Sequence, residues 1–154
     1  MAKLSAGIVL YRGKGDAREV LLVHPGGPFW TNKDRGAWSI PKGEYAAGED
    51  PLAAAKREFA EELGSPPPET GYLELGVIEQ PSRKSIAAFA VPGDFDPARL
   101  RSNLFELEWP PKSGRKRSFP EVDRAAWFSL AEAREKIQPG QAPFLERLGR
   151  LLDR

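Results

Sequence analysis

Cysteine is absent from the 154 residues, so no disulfide can staple this chain and no thiolate can hold a metal. Only one histidine, His24, is present, at the end of an apolar run just before Pro25. In that place it reads as a structural or surface residue rather than a catalyst. Long apolar runs are missing as well. No stretch approaches the ~20 residues of a membrane span, and the first apolar run is short for a signal-peptide core and alternates like a strand. Net charge is +1, which argues against a dedicated nucleic-acid or membrane binder. These absences lead us to expect one soluble cytoplasmic domain over residues 1–154.

Glutamate is what the chain has at informative spacing. Asp50 suits an N-cap, Pro51 suits the first helical turn, and Gly64 suits the left-handed residue that ends a helix. The residues between are mostly strong helix formers, so a helix is expected over residues 52–63, with Leu52, Ala55, Phe59 and Leu63 on the core face. Glu58, Glu61 and Glu62 then fall three and four residues apart on a second face. Like charges at that spacing cost roughly 0.2–0.5 kcal/mol per pair, and Arg57 alone cannot neutralise three of them. Hard carboxylate oxygens gathered in this way suit Mg²⁺ or Mn²⁺.

The whole pattern is Gly43, five residues, Glu49, seven residues, Arg57-Glu58, the apolar Phe59, one residue, Glu61-Glu62, one residue and Gly64. It resembles the Nudix box. Seven fixed identities at average usage would occur by chance at fewer than about one start position in 10⁸. Ser65 departs from the pattern, since the family usually carries an apolar residue there. The resemblance implies an α/β fold, a Nudix-type α/β/α sandwich with a central mixed sheet. It also implies hydrolysis of a nucleoside diphosphate linked to another group, with divalent metal held by Glu58, Glu61, Glu62 and the main-chain carbonyl of Lys42. The resemblance likewise implies that Glu61 and Glu62 are catalytic carboxylates. Glu49 and Arg57 are expected to pair and brace the loop against the helix, a structural role shared by Gly43 and Gly64.

In chain order, strands are expected over residues 4–11, 19–24, 38–40, 72–80, 85–91, 103–109 and 125–128. Ser129 and Glu132 form a capping box for a helix to about residue 137, and Phe144, Leu148, Leu151 and Leu152 form the stripe of a last helix. Residues 25–37 have a loop composition in which Phe29 and Trp30 either stack on a base or cover the core edge. Arg83 and Lys84 lie in a hairpin loop, facing phosphate or solvent. Lys112, Arg115, Lys116 and Arg117 make the densest basic cluster, read as a loop that either closes over a polyphosphate or is merely solvated. Trp30, Arg83 and Lys116 are therefore candidate substrate contacts, with Lys42 as a point charge beside the phosphates.

The order WSIPKGE at residues 38–44 resembles the approach to the box in the dinucleoside tetraphosphate hydrolase branch. That resemblance implies diadenosine tetraphosphate as substrate, a small-molecule nucleotide with no membrane or nucleic-acid partner. Pro81, sixteen residues past Ser65, instead resembles the proline of ADP-ribose hydrolases. Nucleoside triphosphates and capped RNA ends are further alternatives, as is a non-catalytic nucleotide-binding regulator. Glu121, six residues before Trp127, resembles the glutamate many Nudix enzymes keep outside the box as metal ligand or base. Glu106, Glu108 and Asp123 compete for that role.

Overall fold

A computed structural model describes residues 3–153. Its centre is the strand β1 (Lys3–Arg12), whose residues from Ser5 to Leu10 are buried. Ala6, Ile8 and Leu10 point into one core and Val9 into another, so the run is apolar on both faces. Around it stand β2 (Glu19–Pro25), β3 (Lys42–Tyr45), β4 (Leu73–Glu79), β5 (Lys84–Pro92) and β8 (Val122–Ser129). The order is β4-β5-β1-β2-β8, with β3 also paired to β1. β1 and β5 run parallel and the other pairs antiparallel, which makes the sheet mixed.

One edge of β1 is shared between two partners, and this division makes room for the site. Its end pairs with β2 at Tyr11↔Val20, while its start pairs with β3 from Leu4↔Tyr45 to Gly7↔Lys42. β2 and β3 therefore diverge. A cleft opens between them, bounded on its far side by β8.

Helix α1 (Pro51–Leu63) covers one face of the sheet. Asp50 accepts a hydrogen bond from Ala53 N at 3.0 Å, and Gly64 closes the helix at φ 77°. Ala54, Ala55, Phe59 and Leu63 are buried; Leu52, expected on this stripe, is only half-buried, and Ala54 takes its place. Helices α2 (Leu130–Lys136) and α3 (Ala142–Leu152) cover the other face, packing Ala133, Phe144, Leu145 and Leu148 against Val9, Leu22, Ile86 and Ala88. The expected α/β/α sandwich with a mixed sheet is the observed architecture. No helix among the described residues is long and apolar enough to cross a membrane.

Two local expectations are corrected. Residues 38–40 do not form a strand but only isolated bridges, Val23↔Ser39 and Trp38↔Ile137, because the neighbouring edge of β1 is already occupied. The basic stretch read as a loop is half strand. Lys116 and Arg117 lie on β7 (Lys116–Pro120), which pairs with β6 (Leu104–Glu108) in a separate hairpin. Opposite charges face each other there, Glu108↔Lys116, a cross-strand pairing that sequence spacing does not disclose.

Candidate active site

α1 presents Glu58 and Glu62 to the divergent strands and Glu61 to solvent. Lys42 N donates to Glu62 Oε1 at 3.4 Å, which ties the start of β3 to the last turn of the helix. The Glu58 carboxyl lies directly on the backbone of Gly43: a Cβ at that position would sit 2.1 Å from Glu58 Oε2. Only glycine permits this approach.

The cleft itself, about 220 Å³, is lined by Val23, Pro25, Ser39, Lys42, Glu62, Glu121, Val122 and Gln138. Burial pushes the Glu62 carboxyl up to about 8; the ammonium of Lys42 opposes this, and Glu58 and Glu121 add to it. Burial likewise lowers the Lys42 ammonium, a shift opposed chiefly by Glu62. The two partners thus both move toward neutrality, because loss of water outweighs their mutual attraction. Glu58 is raised by burial and by Glu61 and Glu121, with Arg57 opposing.

This is a set of hard oxygen donors held under mutual repulsion, which a divalent cation would relieve. Among the described residues, no three acidic, histidine or cysteine side chains are gathered tightly enough to form a finished metal cage. Glu62 and Glu121 line the cleft, Glu58 lies beside it against Gly43, and Glu61 is exposed.

Of the four candidates outside the helix, Glu121 is the one that lines the cleft. Its backbone is held on both sides: Glu121 N donates to Asn103 O, and Gly26 N donates to Glu121 O, each at 2.9 Å. Glu106 and Glu108 are exposed on β6. Asp123 is bonded to His24, whose Nδ1 lies 2.8 Å from Asp123 Oδ1. His24 is completely buried, so the structural reading of that residue describes it and the surface reading does not.

The other candidates are dispersed. Trp30 is half-buried in its loop beneath Lys33, whose ammonium is 5.1 Å from the ring centroid. Arg83, at φ 63°, lines a separate cavity of about 390 Å³ with Leu4, Glu79, Gln80, Lys84 and Ser85. Lys116 is exposed on β7. Phe29 meets Trp109 edge to face at 5.4 Å, joining the loop after β2 to the tip of the β6–β7 hairpin. None of Trp30, Arg83 and Lys116 lines the cleft that holds Lys42.

Sequence reasoning passed over Ser39, Gln138 and Gln141. Gln141 is completely buried; its Oε1 accepts from Ile40 N at 3.0 Å and its Nε2 donates to Ser39 Oγ at 3.0 Å. That amide replaces the sheet bonds residues 38–40 lack, and it leads the chain into Pro41 and Lys42. No local signal marks it, since the partners are about a hundred residues apart.

Arg57 pairs with Glu49 and also donates to Glu58 Oε1 at 3.4 Å and to the Glu44 carbonyl at 3.5 Å. The group is well exposed, so its direct contribution to stability is small. Arg57→Ala is expected to lower the melting temperature by only ~1–4 °C while reducing turnover, because Glu58 loses the charge that opposes its protonation. Thermal melts and steady-state kinetics on the same preparation check both halves. Unchanged melting and unchanged turnover would show that the brace has no function.

The family is shown by a sequence model, and solved structures share the fold. A sequence model described as NUDIX domain matches residues 1–148. An octanoyltransferase from Myxococcus xanthus is 29% identical over 131 residues, which is 84% of this chain and 32% of that protein. The chain thus spans about a third of the length of the curated relative it matches. Among solved structures, an Ap4A hydrolase from C. elegans in a binary complex is 22% identical, with a TM-score of 0.63 over 99% of this chain and 98% of its own. The NUDIX domain of Shewanella oneidensis NrtR, complexed with ADP ribose, is 17% identical, with a TM-score of 0.67 over 99% and 89%. At these identities the structural likeness is one of fold.

Proposed function

The chain belongs to the Nudix family, and from that premise we propose a divalent-metal-dependent pyrophosphohydrolase acting on a dinucleoside polyphosphate, with diadenosine tetraphosphate cut by water to ATP and AMP. The observation that carries this reading is the cleft in which Lys42, Glu62 and Glu121 meet beside Glu58. One cation beside carboxylates supports a role for Lys42 toward phosphate and for the carboxylates toward metal. Magnesium is the expected ion, held by Glu58, Glu61, Glu62 and the Lys42 carbonyl.

A bound divalent ion neutralises phosphate charge and acidifies a coordinated water. The rest falls to the chain's own residues. Burial makes Glu62 hold its proton beside Lys42, and a bound cation would favour the ionised carboxylate that can ligate it. Glu121, at the rim of the cleft, is placed to take the proton of the attacking water or to hold a metal. Lys42 meets the phosphate chain, whose charge restores the full ammonium that burial opposes.

Incubation with a panel of nucleotides and Mg²⁺, followed by chromatography of the products, tests the reading. ATP and AMP from diadenosine tetraphosphate are expected, and no hydrolysis of any nucleotide would sink it. Glu121→Gln should lower kcat by about 10²-fold with little change in KM, whereas Glu106→Gln and Glu108→Gln should remain within about twofold of wild type. A damaging change confined to Glu106 or Glu108 would move the role to the hairpin. Pro81 favours a second reading, ADP-ribose hydrolysis, which the same panel separates.

A further inference from the structure

β8 contains a one-residue irregularity that decides where Glu121 points. Along β8, Phe128 and Ala126 pack in the core under α2 and α3, while Trp127 and Ala125 pack in the core under α1. Strict alternation would next put Asp123 on the α1 side and Val122 on the other. Val122 nevertheless lies in the α1 core. The register explains this: His24 opposes Arg124 but Pro25 opposes Val122, so Asp123 is an extra residue with no partner on β2. The extra residue breaks the alternation, so that the neighbours Val122 and Glu121 both line the cleft, where an unbroken strand would give it only one of them.

What holds the bulge is a buried histidine. The His24 ring is completely buried and bonded at both nitrogens, Nδ1 to Asp123 Oδ1 at 2.8 Å and Nε2–H to the Lys33 carbonyl at 2.6 Å. Trp38 packs against it edge to face at 5.2 Å, so the ring cannot swing. Arg124 adds a contact at 3.6 Å to the same Asp123 oxygen. Two residues on, Gly26 closes the joint from β2 by donating to the Glu121 carbonyl, in an approach so close that a Cβ there would lie 1.9 Å from Pro120 O.

We propose that His24, acting through Asp123, is a positioning residue that fixes the β8 bulge and thereby keeps the Glu121 carboxylate in the cleft. The proposal deepens the reading above and rests on Glu121 serving the reaction. It assigns a task to the chain's single histidine, which is buried and does not line the cleft. By the Lys33 carbonyl the same ring also anchors the loop that carries Phe29 and Trp30.

The test uses Asp123, whose carboxyl is partly exposed and can be changed without opening the core. Asp123→Ala and Asp123→Asn are each made in the wild type and in Glu121→Gln, and kcat and KM for diadenosine tetraphosphate are measured with Mg²⁺ held constant. Asp123→Ala should lower kcat about tenfold with KM within about twofold, since a small displacement of a reacting group is costly. Asp123→Asn, which keeps an acceptor for His24, should stay within about threefold of wild type. In the Glu121→Gln background, Asp123→Ala should cost less than about twofold, because the group it positions is already gone. An equal loss in both backgrounds, or none in either, overturns the proposal while leaving the role of Glu121 standing. Wild-type kcat in Glu121→Gln alone would strike that role itself, and this inference with it.

Discussion

Glu62→Gln is expected to lose more than about 10²-fold in turnover and, in chelator, to melt at a higher temperature than the wild type. The first effect follows from its proposed place as a metal ligand, because loss of partners that merely support ligands already costs about 10–100-fold. The second follows from burial. The Glu62 carboxyl is pushed from an ordinary 4.5 up to about 8, so the native state retains a proton that the unfolded chain releases. With more protons bound in the native state, stability falls as pH rises between about 4.5 and about 8 and then levels off. Glutamine removes that penalty, so the gap in melting temperature between variant and wild type should widen across this window. Adding Mg²⁺ should close it by stabilising the wild type alone. Near wild-type turnover at saturating Mg²⁺ would remove Glu62 from the ligand set. A melting temperature at pH 8 no higher than wild type would mean that the buried charge is not costly.

The other large effect concerns substrate length. Water attack on a phosphate chain needs positive charge along it, and Lys42 stands in the cleft beside the carboxylates. A two-phosphate substrate held at the metal makes less use of that ammonium than a four-phosphate one does. Diadenosine tetraphosphate should therefore have a higher kcat/KM than ADP-ribose, and Lys42→Ala should narrow the ratio about tenfold or more, as expected for one lost charged hydrogen bond. Product chromatography from both substrates at equal enzyme and Mg²⁺ decides between them. Faster cleavage of ADP-ribose, or a ratio that Lys42→Ala leaves intact, would direct attention to Pro81 and away from Lys42.

The part of the site carried by α1 could be read directly from the residues, because a helix encodes its faces in spacings of three and four. Asp50, Pro51 and Gly64 mark its ends, and the spacing of Glu58 and Glu62 sets them on one face, although the expected third member, Glu61, turns to solvent. The central strand was legible for a similar reason: burial on both faces makes β1 a continuous apolar run. Other features are settled only when distant segments pair. Four acidic residues compete in the sequence, and the structure separates them: Glu106 and Glu108 are exposed on β6, Asp123 is bonded to a histidine about a hundred positions away, and Glu121 lines the cleft. Residues 38–40 look like a strand, yet β3 occupies the edge they would need, and the side chain of Gln141 satisfies Ile40 instead. Lys116 reads as a loop residue until Glu108 is found opposite it. For Asp123 and Ile40 the deciding hydrogen bonds join residues about a hundred positions apart in the chain. Local propensity holds no record of which edge is free, where a strand gains a residue, or which buried acceptor lacks a donor; those are set by the competition of the whole chain for a limited number of backbone partners.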